Sequence, residues 1–83
     1  MEYLIAEVYL PAAEIEYNFR VLADLNTMEA ANMLAKALSD ISDGKYLNSR
    51  NSCLAWRKNG QLLDMRKTLH ECGVKNGSEL LLI

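Results

Sequence analysis

Two stretches near the start of the chain alternate between apolar and polar positions. Residues 2–10 carry their most regular apolar series on the even positions from Leu4 to Leu10. Residues 14–22 alternate more cleanly, because Ile15 and the next odd positions are apolar while Glu16 and its even neighbours are polar. A period of two is typical of a half-buried strand. Pro11 separates the stretches and has no N–H for a ladder, so we predict a β-hairpin.

A different period follows from Met28 to Ile41, where the chain contains no glycine or proline. Apolar residues recur there at steps of three and four, which predicts an amphipathic helix. Asn26 or Thr27 is placed to cap it, and Asn26 and Glu29 have the spacing of a capping box. Gly44 is expected to end the helix within a polar loop that covers residues 42–53.

The last thirty residues contain two Asn-Gly pairs, Asn59-Gly60 and Asn76-Gly77. Asn-Gly favours a type I′ turn, because both central residues of that turn need positive φ. The pattern predicts a strand at 54–58, a short strand near 61–64, a helical turn at 68–72 and a final strand. The expected fold class is α+β: a single domain over residues 1–83, in which a mixed sheet of four to five strands packs on one helix as a β-grasp.

The predicted core combines the apolar face of each strand with the apolar stripe of the helix. Trp56 is expected to be buried within it. The full set is Leu4, Val8, Ile15, Tyr17, Phe19, Val21, Leu34, Leu38, Leu54, Trp56, Leu69, Leu80 and Leu82.

Composition narrows the function classes. The net charge is −2, with no arginine-rich run, so nucleic-acid binding has no support. Two cysteines and one histidine do not make a structural zinc set, and no cofactor motif is present. The N-terminal residues have neither a basic segment nor a long apolar run, so we expect no signal peptide, no membrane insertion and a cytoplasmic protein.

Catalysis is not indicated either. His70 and Cys72 are the nearest approach to a nucleophile–base pair, and they lack a third group to orient them. The pair Glu14 and Glu16 is read as a solvated strand face. We therefore expect a protein that is not an enzyme and holds no metal or cofactor.

The order and spacing of these segments resemble the C-terminal half of ubiquitin and, over nearly the whole chain, bacterial ubiquitin-like proteins of the YukD/EsaB family. The segments that carry the resemblance are Val8-Tyr9-Leu10-Pro11, Glu16-Tyr17-Asn18-Phe19-Arg20-Val21, Leu54-Ala55-Trp56-Arg57, Gly60-Gln61-Leu62-Leu63, Thr68-Leu69, Gly73-Val74 and the run from Asn76 to Leu82. Leu22 stands where many family members have a proline.

The resemblance implies a non-conjugated accessory or regulatory component of a Gram-positive type VII (WXG100) secretion system. Its partners would be proteins, namely membrane components of the secretion complex, which could hold it at the membrane. Two alternatives stay open: a general ubiquitin-like adaptor, and a covalently attached modifier or sulfur carrier. The last is disfavoured because the sequence ends at Leu82-Ile83 instead of a Gly-Gly tail.

Alternation also suggests a binding surface. If Leu54, Trp56, Leu80 and Leu82 point inward, then Ala55, Arg57, Leu81 and Ile83 point outward together. We expect a small apolar patch with Arg57 at its rim, joined by Lys58 or Arg66, that binds a secretion component or a second copy of the chain.

Charge offers a competing surface. Residues 1–43 hold eight acidic and two basic side chains, while residues 44–83 hold three acidic and seven basic ones. The protein could therefore have an acidic side, around Glu14, Glu16 and Asp24, and a basic side.

Overall fold

Two long strands, one helix and two short strands follow one another along the chain. The structure is a computed structural model that describes residues 2–41 and 52–83. Its elements are β1 (Tyr3–Leu10), β2 (Ile15–Leu22), α1 (Thr27–Ile41), β3 (Leu54–Trp56) and β4 (Glu79–Leu82). The predicted helix end at Gly44, and most of the polar loop after it, lie outside the described residues.

The strands form one mixed sheet in the order β2-β1-β4-β3. β1 pairs antiparallel with β2 and parallel with β4, and β3 pairs antiparallel with β4. The short strand predicted near residues 61–64 is reduced to one bridge between Leu62 and Ala55. The structure confirms the predicted architecture, with four strands packed against one helix.

The start of α1 is fixed by Asn26. Its side-chain oxygen accepts hydrogen bonds from the backbone N–H groups of Met28, at 3.0 Å, and Glu29, at 3.4 Å. These are two of the donors that have no partner inside a helix, so Asn26 is the N-cap. Thr27 is instead the first residue of α1, and its side chain is fully buried. The side of the helix that packs on the sheet carries its buried residues, which are Thr27, Ala30, Ala31, Leu34, Ala35 and Leu38.

Most of the predicted core is buried, but four of its residues are not. Tyr17 is 43% exposed, and Ile15, Phe19 and Trp56 are only partly buried. For the three residues on β2 the reason is topological, because β2 is an edge strand and α1 packs mainly over β3 and β4. The inward-facing residues at the start of β2 therefore extend beyond the helix. The buried members of the prediction are Leu4, Val8, Val21, Leu34, Leu38, Leu54, Leu69, Leu80 and Leu82.

The prediction of type I′ turns is wrong. Gly60 and Gly77 have positive φ, at 73° and 89°, but Glu14 is the only non-glycine residue with positive φ in the described ranges. The asparagines act through their side chains instead. Asn59 Oδ1 accepts from the Gln61 N–H at 2.9 Å, and Asn76 Oδ1 accepts from the Ile5 N–H at 2.7 Å. Both pairs are turns, but the asparagine bonds the backbone and only the glycine takes the left-handed conformation.

The predicted helical turn at residues 68–72 is present as a single turn. The Cys72 N–H donates to the Thr68 carbonyl at 3.0 Å. Thr68 and Glu71 also exchange hydrogen bonds between backbone N–H and side-chain oxygen, at 3.0 and 3.1 Å. This is the reciprocal pattern of a capping box. The turn places Leu69, which is 1% exposed, in the core.

Candidate functional site

The sheet face away from α1 is the candidate interaction surface. Because the inward side chains of β1 and β4 are buried, Tyr9 and Leu81 point to this outer face. Strand pairing sets Tyr9 beside Leu81, Leu81 beside Ala55, and Ala55 beside Leu62. A row of apolar side chains thus crosses the outer face from β1 to the segment after β3.

The residues of the predicted patch differ in their exposure. Ala55 is fully buried rather than exposed, since its single methyl group is flanked by Leu81 and Leu62. Leu81 is half-buried, and Ile83 is 54% exposed. Ile83 joins the face because its backbone exchanges hydrogen bonds with Cys53, at 2.7 and 2.9 Å.

Sequence reasoning missed Leu62, which is 57% exposed. The Trp56 N–H donates to the Gln61 carbonyl, and the Leu63 N–H donates to the Leu54 carbonyl. These bonds set Leu62 opposite Ala55, although no regular strand forms there. The signal was available, because a hairpin turn around Asn59-Gly60 pairs the residues on its two sides. We define the apolar row as Tyr9, Leu81, Ala55, Leu62 and Ile83.

Arg57 does not stand free at the rim of this row. Its Nη1 lies 3.1 Å from Glu7 Oε1 and 2.6 Å from Glu16 Oε2. The guanidinium carbon lies 4.8 Å from the centre of the Tyr9 ring, which is a cation–π arrangement. The predicted rim cation is therefore an internal link that holds β3 against β1 and β2. Of the other predicted rim residues, Lys58 is exposed and Arg66 pairs with Asp64 at 3.2 Å.

The carboxyl groups around Arg57 influence each other's protonation. The Glu16 carboxylate, as a hydrogen-bond partner, raises the pKa of Glu7 above its ordinary value. Partial burial and the charge of Glu79 act in the same direction. A hydrogen bond accepted from the protonated Glu7 carboxyl, followed by the one from Arg57, lowers the pKa of Glu16. Two carboxylates thus contact one guanidinium and the charge of Glu79 acts on the same group, which leaves this part of the outer face with excess negative charge.

This cluster also changes the predicted division into acidic and basic sides. Glu7 and Glu16 belong to the acidic half of the chain and Arg57 to the basic half, yet their side chains meet on one face. Arg20, near the other end of β2, lies 4.1 Å from the centre of the Tyr3 ring. Charge of both signs is therefore interleaved across the outer face.

Cys72 and His70 are not brought together as a reactive pair. Cys72 Sγ lies 3.4 Å from the Asp64 carbonyl and 3.5 Å from Thr27 Oγ1, so the thiol forms hydrogen bonds with these two groups. His70 is exposed on the surface of the helical turn. Cys53 and Cys72 are not joined by a disulfide. Residues 2–41 and 52–83 contain no group of three or more side chains able to hold a metal ion.

Within the same described ranges, no helix is long and apolar enough to cross a membrane. No protein-family model matches the sequence, and no curated protein sequence matches it. Similarity is found among solved structures, at the level of the fold.

The ubiquitin-like domain of the Mycobacterium tuberculosis type VII secretion system protein EccD1 superimposes with a TM-score of 0.77 at 14% identity, covering 100% of this chain and 99% of that one. The EccD5 ubiquitin-like domain from Mycobacterium xenopi gives 0.81 at 13% identity, covering 100% and 94%. A chain of the MycP5-free ESX-5 inner membrane complex gives 0.80 at 15% identity, covering 100% of this chain but 21% of that one. Identities this low establish the fold alone, and the protein therefore has the ubiquitin-like β-grasp fold.

Proposed function

We propose that this chain is a protein-interaction module of a type VII (WXG100) secretion apparatus, where it acts as a non-conjugated, non-catalytic accessory or regulatory component. The observation that carries the proposal is the likeness to the EccD ubiquitin-like domains, which extends over nearly the full length of both chains. The narrower placement in the YukD/EsaB family rests on the resemblance of segments such as residues 16–21 and 54–57, and it belongs to the same proposal.

The partner that we propose is a protein of the secretion complex at the membrane. The related fold in the ESX-5 inner membrane complex forms about a fifth of its chain, so there the domain is one part of a larger protein. We propose a contact of the same kind, with a protein of the secretion complex, for the present chain. The apolar row is the surface best suited to it, because Leu62 and Ile83 are each more than half exposed on one face.

The charges beside the row favour a partner with basic groups. Glu7 and Glu16 contact Arg57, and the charge of Glu79 acts on it as well, so the local balance is negative. An apolar contact with charged groups at its edge is a common interface layout. The charges would mainly set association rate and specificity, while burial of Leu62 and Ile83 would supply affinity.

The sharpest test uses Leu62, whose side chain is exposed and lies outside the regular strands. Leu62→Asp should leave the fold intact and abolish co-purification with the type VII membrane components. Met28→Asp is the matched control, because Met28 is 54% exposed on α1 and an acidic side chain near a helix N-terminus is tolerated. Leu81→Asp combined with Arg57→Glu is a poorer test than the sequence suggested, because Leu81 is half-buried and Arg57 is ion-paired.

The result also separates the competing functions. Loss of co-purification for Leu62→Asp with retention for Met28→Asp supports the proposal. Retention by both variants would assign the contact to another surface. If the unsubstituted protein does not co-purify with type VII components, the proposed secretion role is wrong. A general ubiquitin-like adaptor then becomes the better hypothesis.

A further inference from the structure

Among the described residues, β2 is a long and regular sheet edge that no other segment covers. Its eight residues pair with β1 in one uninterrupted register, so the strand has no bulge, and it contains no proline. The opposite edge, β3, is covered by hydrogen bonds to Gln61 and Leu63. Among the described residues, β2 therefore presents the extended edge to which a further strand could be added.

The backbone groups that face outward on this edge can be identified. Ile5 and Glu7 direct their N–H groups to the β4 side, to Asn76 and Ser78. The alternate residues of β1 must then bond β2, and their partners there are the odd-numbered positions from Ile15 to Val21. The N–H and C=O groups of Glu16, Asn18 and Arg20 therefore point away from the sheet.

We propose that two copies of this chain pair antiparallel through β2, on a two-fold axis at Asn18, and share one continuous sheet. In this register Asn18 lies opposite Asn18 of the second copy, and Glu16 lies opposite the second copy's Arg20. All of these residues have outward-facing backbone groups, so about six backbone hydrogen bonds form across the axis. The pairing uses almost the whole strand.

The outer-face side chains are charge-complementary in this register. Each Glu16 meets an Arg20 from the other copy, once on either side of the axis, as an isologous contact requires. Opposite charges placed directly across an antiparallel pair stabilise it. The arriving Arg20 also adds a second guanidinium to the cluster in which Glu7 and Glu16 contact Arg57.

The other face of the same pairing is aromatic. Tyr17 and Phe19, which extend beyond α1, are 6.4 Å apart between ring centres within one chain. In the proposed register Tyr17 lies opposite Phe19 of the second copy, and Ile15 lies opposite Val21. The incomplete burial of Tyr17 and Phe19 in the single chain is then explained, because the second copy covers them. A shift of two residues in one direction sets Arg20 opposite Asn18, and in the other it sets Arg20 opposite Glu14, which lies outside β2. Within the strand, charge therefore favours the proposed register.

A charge exchange tests the register. Arg20→Glu places two glutamates opposite each other at both contacts, and Glu16→Arg places two arginines there, so each variant alone should dimerise at least tenfold more weakly than the native protein. An equal mixture restores both opposite-charge pairs and should form heterodimers with near-native affinity. Sedimentation velocity over a concentration series measures all three, with circular dichroism to verify that each variant is folded.

A proline substitution tests the role of the β2 edge without changing its charge. Asn18→Pro removes an N–H that faces away from β1, so it blocks the added strand without breaking the intramolecular ladder. It should be monomeric at every concentration, whereas Asn18→Ala, which keeps the N–H, should still dimerise. In the native protein, amide exchange at Glu16, Asn18 and Arg20 should slow as concentration rises, while Tyr17 and Phe19 stay protected by β1 throughout.

Three results would overturn the proposal. One is a native protein that remains monomeric up to millimolar concentration. Another is a dimer that Asn18→Pro and the two charge variants leave unchanged. The third is slowed exchange at the β2 edge only when a different protein is added, which would assign the edge to an extended segment of that protein.

Discussion

Arg57 is the side chain that connects most elements of the outer face. It extends from the end of β3, pairs with Glu7 on β1 and Glu16 on β2, and covers the Tyr9 ring. Its backbone N–H also donates to the Glu79 carbonyl on β4, at 3.2 Å. Exposed ion pairs contribute little individually. Here one planar guanidinium contacts two carboxylates and an aromatic ring, so its removal would eliminate all three contacts together.

We expect Arg57→Gln to lower stability in a pH-dependent way. The pKa of Glu16 lies below its ordinary value of 4.5 because of the hydrogen bond from Glu7 and then the one from Arg57, and the charge of Arg57 also limits the rise in the pKa of Glu7. Arg57 thus favours the ionised form of both carboxyl groups. A lowered carboxyl pKa stabilises the fold above the unfolded-state value, and this contribution disappears as pH falls through the folded-state value. The variant's deficit in melting temperature should therefore be full at neutral pH and shrink in acid.

Arg66→Gln is the control for this experiment. Within residues 2–41 and 52–83, Arg66 pairs only with Asp64, and its side chain is 90% exposed. Its melting temperature should stay close to that of the native protein across the pH range. An Arg57→Gln deficit that remains constant down to acid pH would show that packing on Tyr9, and not the carboxylates, is what Arg57 supplies.

The burial of Leu80 and Trp56 predicts the relative cost of replacing each with alanine, and side-chain size alone would predict a different order. Leu80 is 1% exposed, so Leu80→Ala should cost about 2–5 kcal/mol of unfolding free energy. Trp56 is only partly buried against the core. Trp56→Ala should therefore cost less than the roughly 3–5 kcal/mol of a fully buried tryptophan. Urea denaturation of both variants, followed by circular dichroism, measures the difference. Equal or larger loss for Trp56→Ala would contradict the burial argument.

Among the elements, β1 and α1 were predictable because their periodicity coincides with their burial. Leu4 to Leu10 face the core at every second position, and Leu34 and Leu38 lie on the helix stripe. Tyr17 and Phe19 have an equally regular pattern, but periodicity shows which residues share a face and not whether anything covers that face. Strand order decides this, since β2 lies at an edge.

The candidate site was predictable to the extent that alternation determines it. Leu81 and Ile83 lie on the expected face, but exposure depends on neighbours that alternation does not show. Ala55 is buried between larger residues, and Leu62 is exposed without belonging to a strand. The ion pairs of Arg57 join residues that are distant in sequence, so only the folded arrangement reveals them.

The N-cap of α1 gives a prediction at the same scale. Asn26→Ala removes the acceptor for the Met28 and Glu29 amides, which leaves two donors without a protein partner. We expect a loss of about 1 kcal/mol in unfolding free energy. Asn26→Ser, which retains a capping oxygen, should be close to native. Thermal denaturation compares the two, and an equal loss in both would show that the cap contributes little.

The whole molecule should unfold as one unit. β4 lies between β1 and β3, so strands from the two ends of the chain depend on one another, and α1 packs over them. No part of the sheet can open alone without exposing the shared core. We expect Trp56 fluorescence and far-ultraviolet circular dichroism to report the same urea midpoint. Separate midpoints would show that the β1–β2 hairpin and the rest of the molecule unfold independently.

The pairing of β1 with β4 has a consequence for biosynthesis. β1 and β2 are synthesised before the other elements described, but the strand that completes β1 on its other side lies at residues 79–82. At ~5–20 residues per second, several seconds pass between the two events. During this time β1 is an open edge, and Leu4, Val8 and Leu10 lack the partners that bury them. The sheet therefore remains incomplete between the synthesis of β1 and that of β4, and the core can close only after β4 has been made.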